Sequence, residues 1–484
     1  MAIAALGFAL RAFPLAQAGA FGYPVDYDEG VYFASSSLLL HGTLPYRDFV
    51  FVHPPSLLYC LFPATWLGLV SDPSIGFAAA RWMFAAIGTV NVLLVGRLGM
   101  RLAGGVGALA AALIYASHPV AVATERGPFL EPILNLVCLC LGSVWLAQEN
   151  GKRSRAVAAG VLCGAAISVK LVGVVWLVAC AVSAWRGMRQ RWPAFLGAAA
   201  VTAGALVGLV ALRAPGAFFR QAISFQLHRP ADGTISLVDR AAAMLWLDGQ
   251  LPKSLLVLGG LVLAARRWRE PARRGERFFA AALLCIAAAF LLSSSYWSQY
   301  NAHLAVPEAV LAAYAAGALC SWRGWERTGA GLAVAALGLA AFLGARRAVL
   351  IGRSRSSEVP ALASFLRSTV SSGARAVSLE PAWLLAAGRL PSPAGGHLIV
   401  DPYASMLIAA TSEGRRFSTA TQAFADPSSQ VGISAALRAS RYAILGARGH
   451  WQLANATQQW LGAHFVQKFP PPRQEGIDVW ERAR

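Results

Sequence analysis

Charge is scarce in this chain. Of its 484 residues only 13% are Asp, Glu, Lys or Arg, against 57% hydrophobic, and the mean hydropathy is +0.53. An ordinary soluble domain carries about twice that share of charge, so a soluble globular class is excluded and a polytopic membrane protein is implied. Lysine is scarcer still: Lys152, Lys170, Lys253 and Lys468 are the only four. The seven Cys lie almost wholly in apolar segments and none falls in the polar C-terminal region, so neither a disulfide framework nor a Cys-rich metal site is suggested. No internal repeat is found, and the polar C-terminal region shows no phosphate-binding glycine loop or nucleophile elbow. The net charge of +19 does not imply a nucleic-acid partner, because the basic residues fall in short clusters between apolar runs rather than in one stripe.

Apolar runs are what the chain has instead. A span needs about 20 apolar residues, within a range of roughly 17 to 25. Segments near 2–20, 74–96, 104–121, 130–147, 156–170, 171–185, 194–213, 252–265, 278–293, 304–320 and 328–344 qualify or come close, the fifth and sixth dividing at Lys170. Arg97 and Arg101; Lys152, Arg153 and Arg155; Arg186, Arg189 and Arg191; Arg266 to Arg277; and Arg323 and Arg327 occupy alternate loops, which are therefore cytoplasmic. By alternation the stretch after the first span and the loops 122–129, 214–251 and 294–303 share the extracytoplasmic side. Arg11 sits inside the first apolar segment, which requires snorkelling, an ion pair or a start upstream of Met1; a signal peptide cut after Ala16-Gln17-Ala18 would lack its basic leading region.

The expected fold is an α-helical polytopic membrane domain over 1–344, with about eleven spans, followed by a small α/β domain over 345–484. In the latter, helix-like stretches (359–370, 404–414, 451–465) alternate with strand-like ones (375–380, 397–400, 442–445, 477–480). Arg346, Arg347, Arg353 and Arg355 would place this domain in the cytoplasm by the positive-inside rule alone, whereas an odd span count places it outside, and the odd count is followed.

Polar chemistry gathers in the first extracytoplasmic loop, 21–73, above all in "DYDEGVYFASSSLLLHGTLPYRDFVFVHPP" at 26–55. A short helix begins near Asp26 or Asp28 and ends before Gly42; a second opens with Pro54 and Pro55 in its first turn. Both are expected to lie along the membrane interface. Asp28 and Glu29 then sit at the membrane surface, where a carboxylate can take a proton from a hydroxyl or amine under the influence of Arg47 and His53, or else simply cap the helix. Lys170, bracketed by apolar residues, is a functional candidate because an ionisable group inside a span is costly; it is equally a snorkelling or ion-paired lysine. Tyr296, Gln299, Tyr300 and His303 would share one helical face, either lining a pocket or forming an aromatic belt. His228, Arg229, Asp232, Asp239 and Asp248 lie in a long loop that can serve as a lid.

The loop resembles the first extracytoplasmic loop of the GT-C glycosyltransferases that use polyprenyl-phosphate sugars, a group including protein O-mannosyltransferases and the lipid A aminoarabinose transferase. Asp28, Glu29 and Tyr32 match that group's Asp-Glu-x-x-Tyr, and His53-Pro54-Pro55 is similar to the His-Pro-Pro of the mannosyltransferases, without the basic residue that commonly follows. "TERGPFLEPILNLV" resembles the second loop, with Glu131-Pro132 in place of the commoner Asp-Pro and Glu125 and Arg126 nearby; "GAAISVKLVG" and "YWSQYNAHLAVPEAVL" are similar to later segments. The resemblance implies Asp28 and Glu29 as catalytic residues. Tyr32, His53, Glu125, Arg126, Glu131, Lys170, Tyr296, Tyr300 and His303 are its substrate-binding candidates, and positions 28, 29, 125, 131 and 170 are expected to gather at one extracytoplasmic cleft. It further implies an inverting transfer from a polyprenyl-phosphate sugar to a glycan, lipid or protein acceptor at the outer face of the inner membrane. Metal use is left open, since the superfamily contains metal-dependent and metal-independent members. The rival reading is a lipid-linked sugar flippase or transporter, or a scaffold that binds glycolipid without transferring it. A transporter gathers its polar residues at the bilayer midplane, whereas here they collect at one interface.

Overall fold

The structure, a computed structural model, describes all residues except 22, 148–151, 185–189, 233–234, 246–248, 271–273, 322–325, 352–357, 372, 469–476 and 484. Arg186, Arg189, Asp248, Arg323, Arg353 and Arg355 fall outside the described residues. The chain forms two compact units: Met1–Pro14, Met83–Gly208 and Ile235–Ser354 make the first, and Leu15–Trp82, Leu209–Thr234 and Arg355–Arg484 the second.

The first unit is helical. Helices occupy every one of the eleven apolar segments, and four, Pro73–Ala116, Trp192–Ala211, Arg274–Leu292 and Arg327–Ile351, are long and apolar enough to cross a membrane. Ala2–Leu15, Leu130–Leu146, Leu171–Ala184 and Ala305–Cys320 are shorter apolar helices. The 44-residue helix would extend about 66 Å if straight, roughly twice a hydrocarbon core. It breaks at Ala103 and Gly104, where the backbone is non-helical and Gly104 takes a φ of +65°, which divides it as the segments 74–96 and 104–121 anticipate. The division at Lys170 is also present: Arg153–Val169 ends there, Lys170 is extended, and a 3-10 turn leads into Val174–Ala184. Exposed side chains such as Val201, Leu209, Leu292 and Val334 give these helices an apolar exterior suited to lipid.

In the second unit, Tyr27–Leu40 forms the expected first helix of the loop. Asp26 caps it, accepting from the Asp28 amide while Glu29 accepts from the Asp26 amide at 2.6 Å, a reciprocal capping box. His41 ends it, and Gly42 follows at φ +83°, a left-handed position that glycine takes without strain. The second helix departs from expectation. It is two pieces, Ser56–Cys60 and Phe62–Val70, with Pro55 as cap rather than in the first turn, because Phe62-Pro63 starts a new helix at Leu61.

The C-terminal part of this unit holds a four-stranded sheet of order β1-β2-β4-β3, with β1 Ala376–Ser378, β2 Tyr442–Leu445, β3 Phe465–Lys468 and β4 Asp478–Arg482. β1 runs parallel to β2; β4 pairs antiparallel with both β2 and β3. Leu362, Leu366, Leu384, Ile444 and Val479 are fully or almost fully buried between sheet and helices. Helices Glu358–Thr369, Pro402–Thr411 and Asn455–His464 lie close to the three expected stretches. Residues 397–400 are not a strand: Gly395 and Gly396 turn the chain at positive φ, and the following Asp401 caps the next helix. β3 was not anticipated; the expected helix overran Phe465, its first residue.

Candidate functional site

The helix Tyr27–Leu40 is locked at its start. Arg81 donates to both Glu29 oxygens, from Nη2 at 2.6 Å and from Nε at 3.0 Å, and both side chains are buried. The same guanidinium donates to the carbonyls of Ala20, Tyr23 and Pro24 at 2.8, 3.0 and 2.7 Å, so it gathers the strand of chain leading into the helix. The carboxylate of Glu29 is therefore spent on Arg81 and on the Asp26 amide. Asp28, one residue earlier, is partly exposed.

The acids of this loop meet others from the C-terminal part of the same unit. The Tyr27 hydroxyl donates to Asp401 Oδ1 at 2.8 Å and accepts from the Tyr403 amide at 2.9 Å, while the Ala404 amide donates to the same Asp401 oxygen at 2.9 Å. The Arg448 guanidinium lies over the Tyr27 ring, 4.4 Å from its centre, and the Arg448 amide donates to Glu380 at 3.3 Å. Close packing makes this possible: a Cβ on Gly30 would stand 2.3 Å from the Ala382 nitrogen, so only glycine lets the loop helix reach the Pro381–Ala386 helix.

Burial and the neighbouring Asp28 charge push the Asp26 carboxyl up to about 7, against the pull of Arg448. Burial lifts Asp401 to about 6 and raises Glu380, with Arg448 opposing both. Burial and the Asp401 charge hold the Tyr27 phenol well above its usual range. Burial works against the charge on Arg448, but Asp28, Asp26, Tyr27 and Glu380 outweigh it and raise its pKa. Arg448 thus compensates a ring of acids, of which Asp28 is partly open to solvent. Such a carboxylate is placed to accept a proton.

Tyr32 stands one helical turn beyond Asp28, on the same face. Its buried ring meets His53 edge-on at 5.8 Å and Phe51 at 6.3 Å. Tyr46, in the left-handed region at φ +68°, donates its hydroxyl to the His53 carbonyl at 2.6 Å and so fixes the turn before it. The long loop is tied down here as well: Gln221 accepts from the Phe51 amide at 3.0 Å and donates to the Tyr46 carbonyl at 3.1 Å, and Gln226 donates to the Val52 carbonyl at 2.7 Å.

The remaining candidates belong to the first unit. Glu131 accepts from Lys170 Nζ at 2.6 Å, and that ammonium lies 4.1 Å above the Tyr300 ring. Glu125 is fully buried, ion-paired with Arg11 and accepting from Asn91 at 2.9 Å and Tyr115 at 2.8 Å, which explains how Arg11 is tolerated in its helix. Arg126 is buried too, and donates to the carbonyls of Leu10 and Ala348. His303 is fixed as a neutral ring: Trp176 Nε1 donates to its Nε2 at 3.0 Å, leaving Nδ1 to donate to Asn135 Oδ1 at 2.9 Å. The expected single face of Tyr296, Gln299, Tyr300 and His303 is not formed. The helix is a 3-10 turn, Ser298–His303, Tyr296 precedes it, and its hydroxyl donates to Asn301 at 2.7 Å. Lys170, Glu131 and Tyr300 come together; Glu125, Arg126 and His303 are internal.

Arg81, Glu380, Asp401 and Arg448 were not anticipated. Arg81 carried a legible signal, a lone cation inside an apolar segment. The other three come from separate loops of the C-terminal region, with no spacing to link them. Among the described residues no group of three or more His, Cys, Asp or Glu is arranged to hold a metal ion.

Comparison with known proteins bears directly on this arrangement. The chain resembles the solved structure of ArnT from Cupriavidus metallidurans bound to undecaprenyl phosphate, with a TM-score of 0.69 at 15% identity over 99% of this chain and 97% of that one. The apo form of the same protein gives 0.63 at 16% identity, covering 95% and 94%. The apo oligosaccharyltransferase of Archaeoglobus fulgidus gives 0.63 at 11% identity, covering 100% of this chain and 74% of that one. These likenesses show the fold. No curated protein matches the sequence. The model of glycosyltransferase family 87 matches residues 51–295, half of the chain, and the protein belongs to that family of GT-C membrane glycosyltransferases.

Proposed function

We propose that the protein is an inverting glycosyltransferase that moves a hexosyl or pentosyl group from a polyprenyl monophosphate to a glycan, lipid or protein acceptor at the outer face of the inner membrane. The observation that carries this reading is Asp28, partly exposed at the start of a helix locked by Arg81 and beside the cation of Arg448. The undecaprenyl phosphate held by the solved ArnT supports the choice of carrier. Eleven membrane crossings, a membrane domain over 1–344 and an extracytoplasmic domain over 345–484 complete the proposal.

In this mechanism an acceptor hydroxyl or amine attacks the anomeric carbon from the face opposite the phosphate. The new bond to the acceptor forms as the carbon–oxygen bond to the phosphate breaks, through an oxocarbenium-like state. The acceptor's proton goes to Asp28, and the polyprenyl phosphate leaves as the anion. Glu29 is a positioning residue, acting through Arg81 and the helix cap. Tyr32 and His53, packed edge-on against one another, are assigned to the sugar side of the site. Lys170, held by Glu131 and Tyr300, is assigned to the phosphate, where negative charge develops. Arg126, Glu125 and His303, all internal, support the helices rather than the substrate.

Asp28→Asn tests the reading, since it keeps size and removes charge. A general base contributes about 10²- to 10⁴-fold, so transfer of labelled sugar from a polyprenyl-phosphate donor in proteoliposomes should fall at least about a hundredfold. Donor binding by the same variant should persist. Unchanged turnover with intact binding would remove Asp28 from the role and favour the flippase.

A further inference from the structure

Asn135 stands four residues after Glu131 in the helix Leu130–Leu146, so the two side chains share one face, a turn apart. Glu131 holds the Lys170 ammonium at 2.6 Å. Asn135 acts on the second contact of that lysine: it grips the 3-10 turn Ser298–His303, whose Tyr300 ring has the ammonium 4.1 Å above its centre. Its Nδ2 donates to the Ala302 carbonyl at 2.9 Å and to the Tyr115 hydroxyl at 3.1 Å, and its Oδ1 accepts from His303 Nδ1 at 2.9 Å. Both amide hydrogens and the oxygen are therefore used, and the side chain is buried.

The hydrogen bonds run in one direction. Trp176 Nε1 donates to His303 Nε2 at 3.0 Å, His303 to Asn135, Asn135 to Tyr115, and Tyr115 to Glu125 Oε1 at 2.8 Å, where the ion pair with Arg11 ends the series. Turning the Asn135 amide over would set its N–H against the His303 Nδ1–H and its oxygen against the Ala302 carbonyl, so one orientation is imposed. Donors aligned in this way strengthen one another in a buried setting. Trp176 in turn belongs to Val174–Ala184, the helix that follows Lys170 after the turn Leu171–Gly173. The frame closes here: the segment bearing Lys170, the helix bearing Glu131 and the turn bearing Tyr300 are tied through one amide. Lys170 and Tyr300 are partly exposed, whereas Glu131, Asn135, Trp176 and His303 are buried.

We propose that Asn135 is a positioning residue for Lys170, acting through the turn Ser298–His303 rather than on substrate, so that the Tyr300 ring stays against the ammonium that Glu131 holds. His303 is its necessary partner, because it supplies the donor that fixes the amide. The effect on transfer rests on the assignment of Lys170 to the departing phosphate; the placement of the ammonium does not.

The chain has four lysines, so the ammonium can be read directly. Full-length protein in phosphatidylcholine nanodiscs is labelled with a trace of acetic anhydride, and each lysine is followed by mass spectrometry. Asn135→Leu keeps a branched side chain and removes the three hydrogen bonds. Lys170 should then be acetylated at least about threefold faster, because an amine released from ring and carboxylate is more open and more often uncharged. Lys253, buried in the same unit on Glu308 at 3.0 Å, should keep its rate. His303→Leu should act as Asn135→Leu does, whereas His303→Asn, which returns an N–H to Asn135, should recover part of the difference. Trp176→Phe removes a single donor of the series and carries the same expectation in smaller measure, should Asn135→Leu not accumulate. An unchanged Lys170 rate would overturn the proposal, and so would an equal rise at Lys253, the mark of general loosening. Transfer supplies a separate arm: Asn135→Leu should lower kcat about tenfold or more with the acceptor KM unchanged, and should cost little further in a Lys170→Met background. Additive losses in that background would refute the positioning role. A chain that transfers no sugar yet shows the labelling change would refute the glycosyltransferase reading and uphold the placement of Lys170 by Asn135.

Discussion

Arg448 lies with its guanidinium carbon 4.4 Å from the centre of the Tyr27 ring, so a cation from the C-terminal region stands against the helix that carries Asp28. Such a contact contributes about 0.5–2 kcal/mol depending on burial. Its larger effect is electrostatic, because the same charge opposes the upward shifts of Asp26, Glu380 and Asp401.

Replacing Arg448 by Gln should therefore lower transfer by about tenfold or more, a loss of roughly 1.4 kcal/mol or more at the barrier. Arg448→Lys should recover part of it, retaining charge without the planar stack. The distinguishing readout is the pH dependence of Tm: with the cation gone, Asp26 should titrate above about 7. An unchanged profile would leave Arg448 a packing residue only.

Stability should fall as pH rises through the acid cluster. Asp26 and Asp401 have folded pKa values raised to about 7 and about 6 from an ordinary 3.8. The folded protein then holds more protons than the unfolded chain between those limits, so the contribution is full below about pH 4 and lost by about pH 7. Tm measured in detergent across pH 4 to 8 should show this descent, and Asp26→Asn, which preserves a good cap, should flatten its upper part. A Tm that rose over the interval would contradict the assignment.

The buried Arg81–Glu29 pair should couple strongly. Breaking such a pair by removing one partner costs about 3–5 kcal/mol, because the other charge remains buried. Glu29→Gln and Arg81→Met should each lower Tm sharply, and the double variant should lose much less than their sum. Additive losses would mean the two side chains act independently.

Gly30→Ala should wedge the loop helix away from Ala382, since backbone atoms there cannot yield as a side chain would. Overpacking of this kind costs about 1–3 kcal/mol, and transfer should fall more than stability explains. Near-normal activity would show that the helix contact is not needed for catalysis.

The side of the C-terminal domain is open to direct measurement. Gly462 has room for a side chain, so Gly462→Cys in a Cys60→Ser background should react with an impermeant thiol reagent applied to intact spheroplasts. Reaction only after permeabilisation would place the domain in the cytoplasm.

The first loop was the most legible part of the chain because its signals are local. Asp26 or Asp28 at one end and Gly42 at the other bracket one helix by local signals alone, and the break at Lys170 follows from a charged residue between two apolar runs. Where expectation failed, a neighbour in sequence or a partner far from it decided. Pro63 split the second helix of the loop, and the turn at Gly395 and Gly396 kept an apolar run from becoming a strand. β3 depends on pairing with β4, a contact no window over residues 451–468 contains. For the same reason Glu380, Asp401 and Arg448 were invisible as partners of Tyr27 and its neighbours, whereas Arg81 could have been singled out by the reasoning applied to Lys170.

The order of synthesis gives the Tyr27–Asp401 bond a temporal meaning. These residues are 374 positions apart. At about 5–20 residues per second, the ribosome reaches Asp401 roughly 20–75 seconds after Tyr27, and Arg448 later still. Throughout that interval the nascent chain carries Asp26 and Asp28 without the Arg448 cation that compensates them. A product that stops short of Arg448 lacks the means to set them in order, so the competence of the enzyme reports that translation has passed that residue.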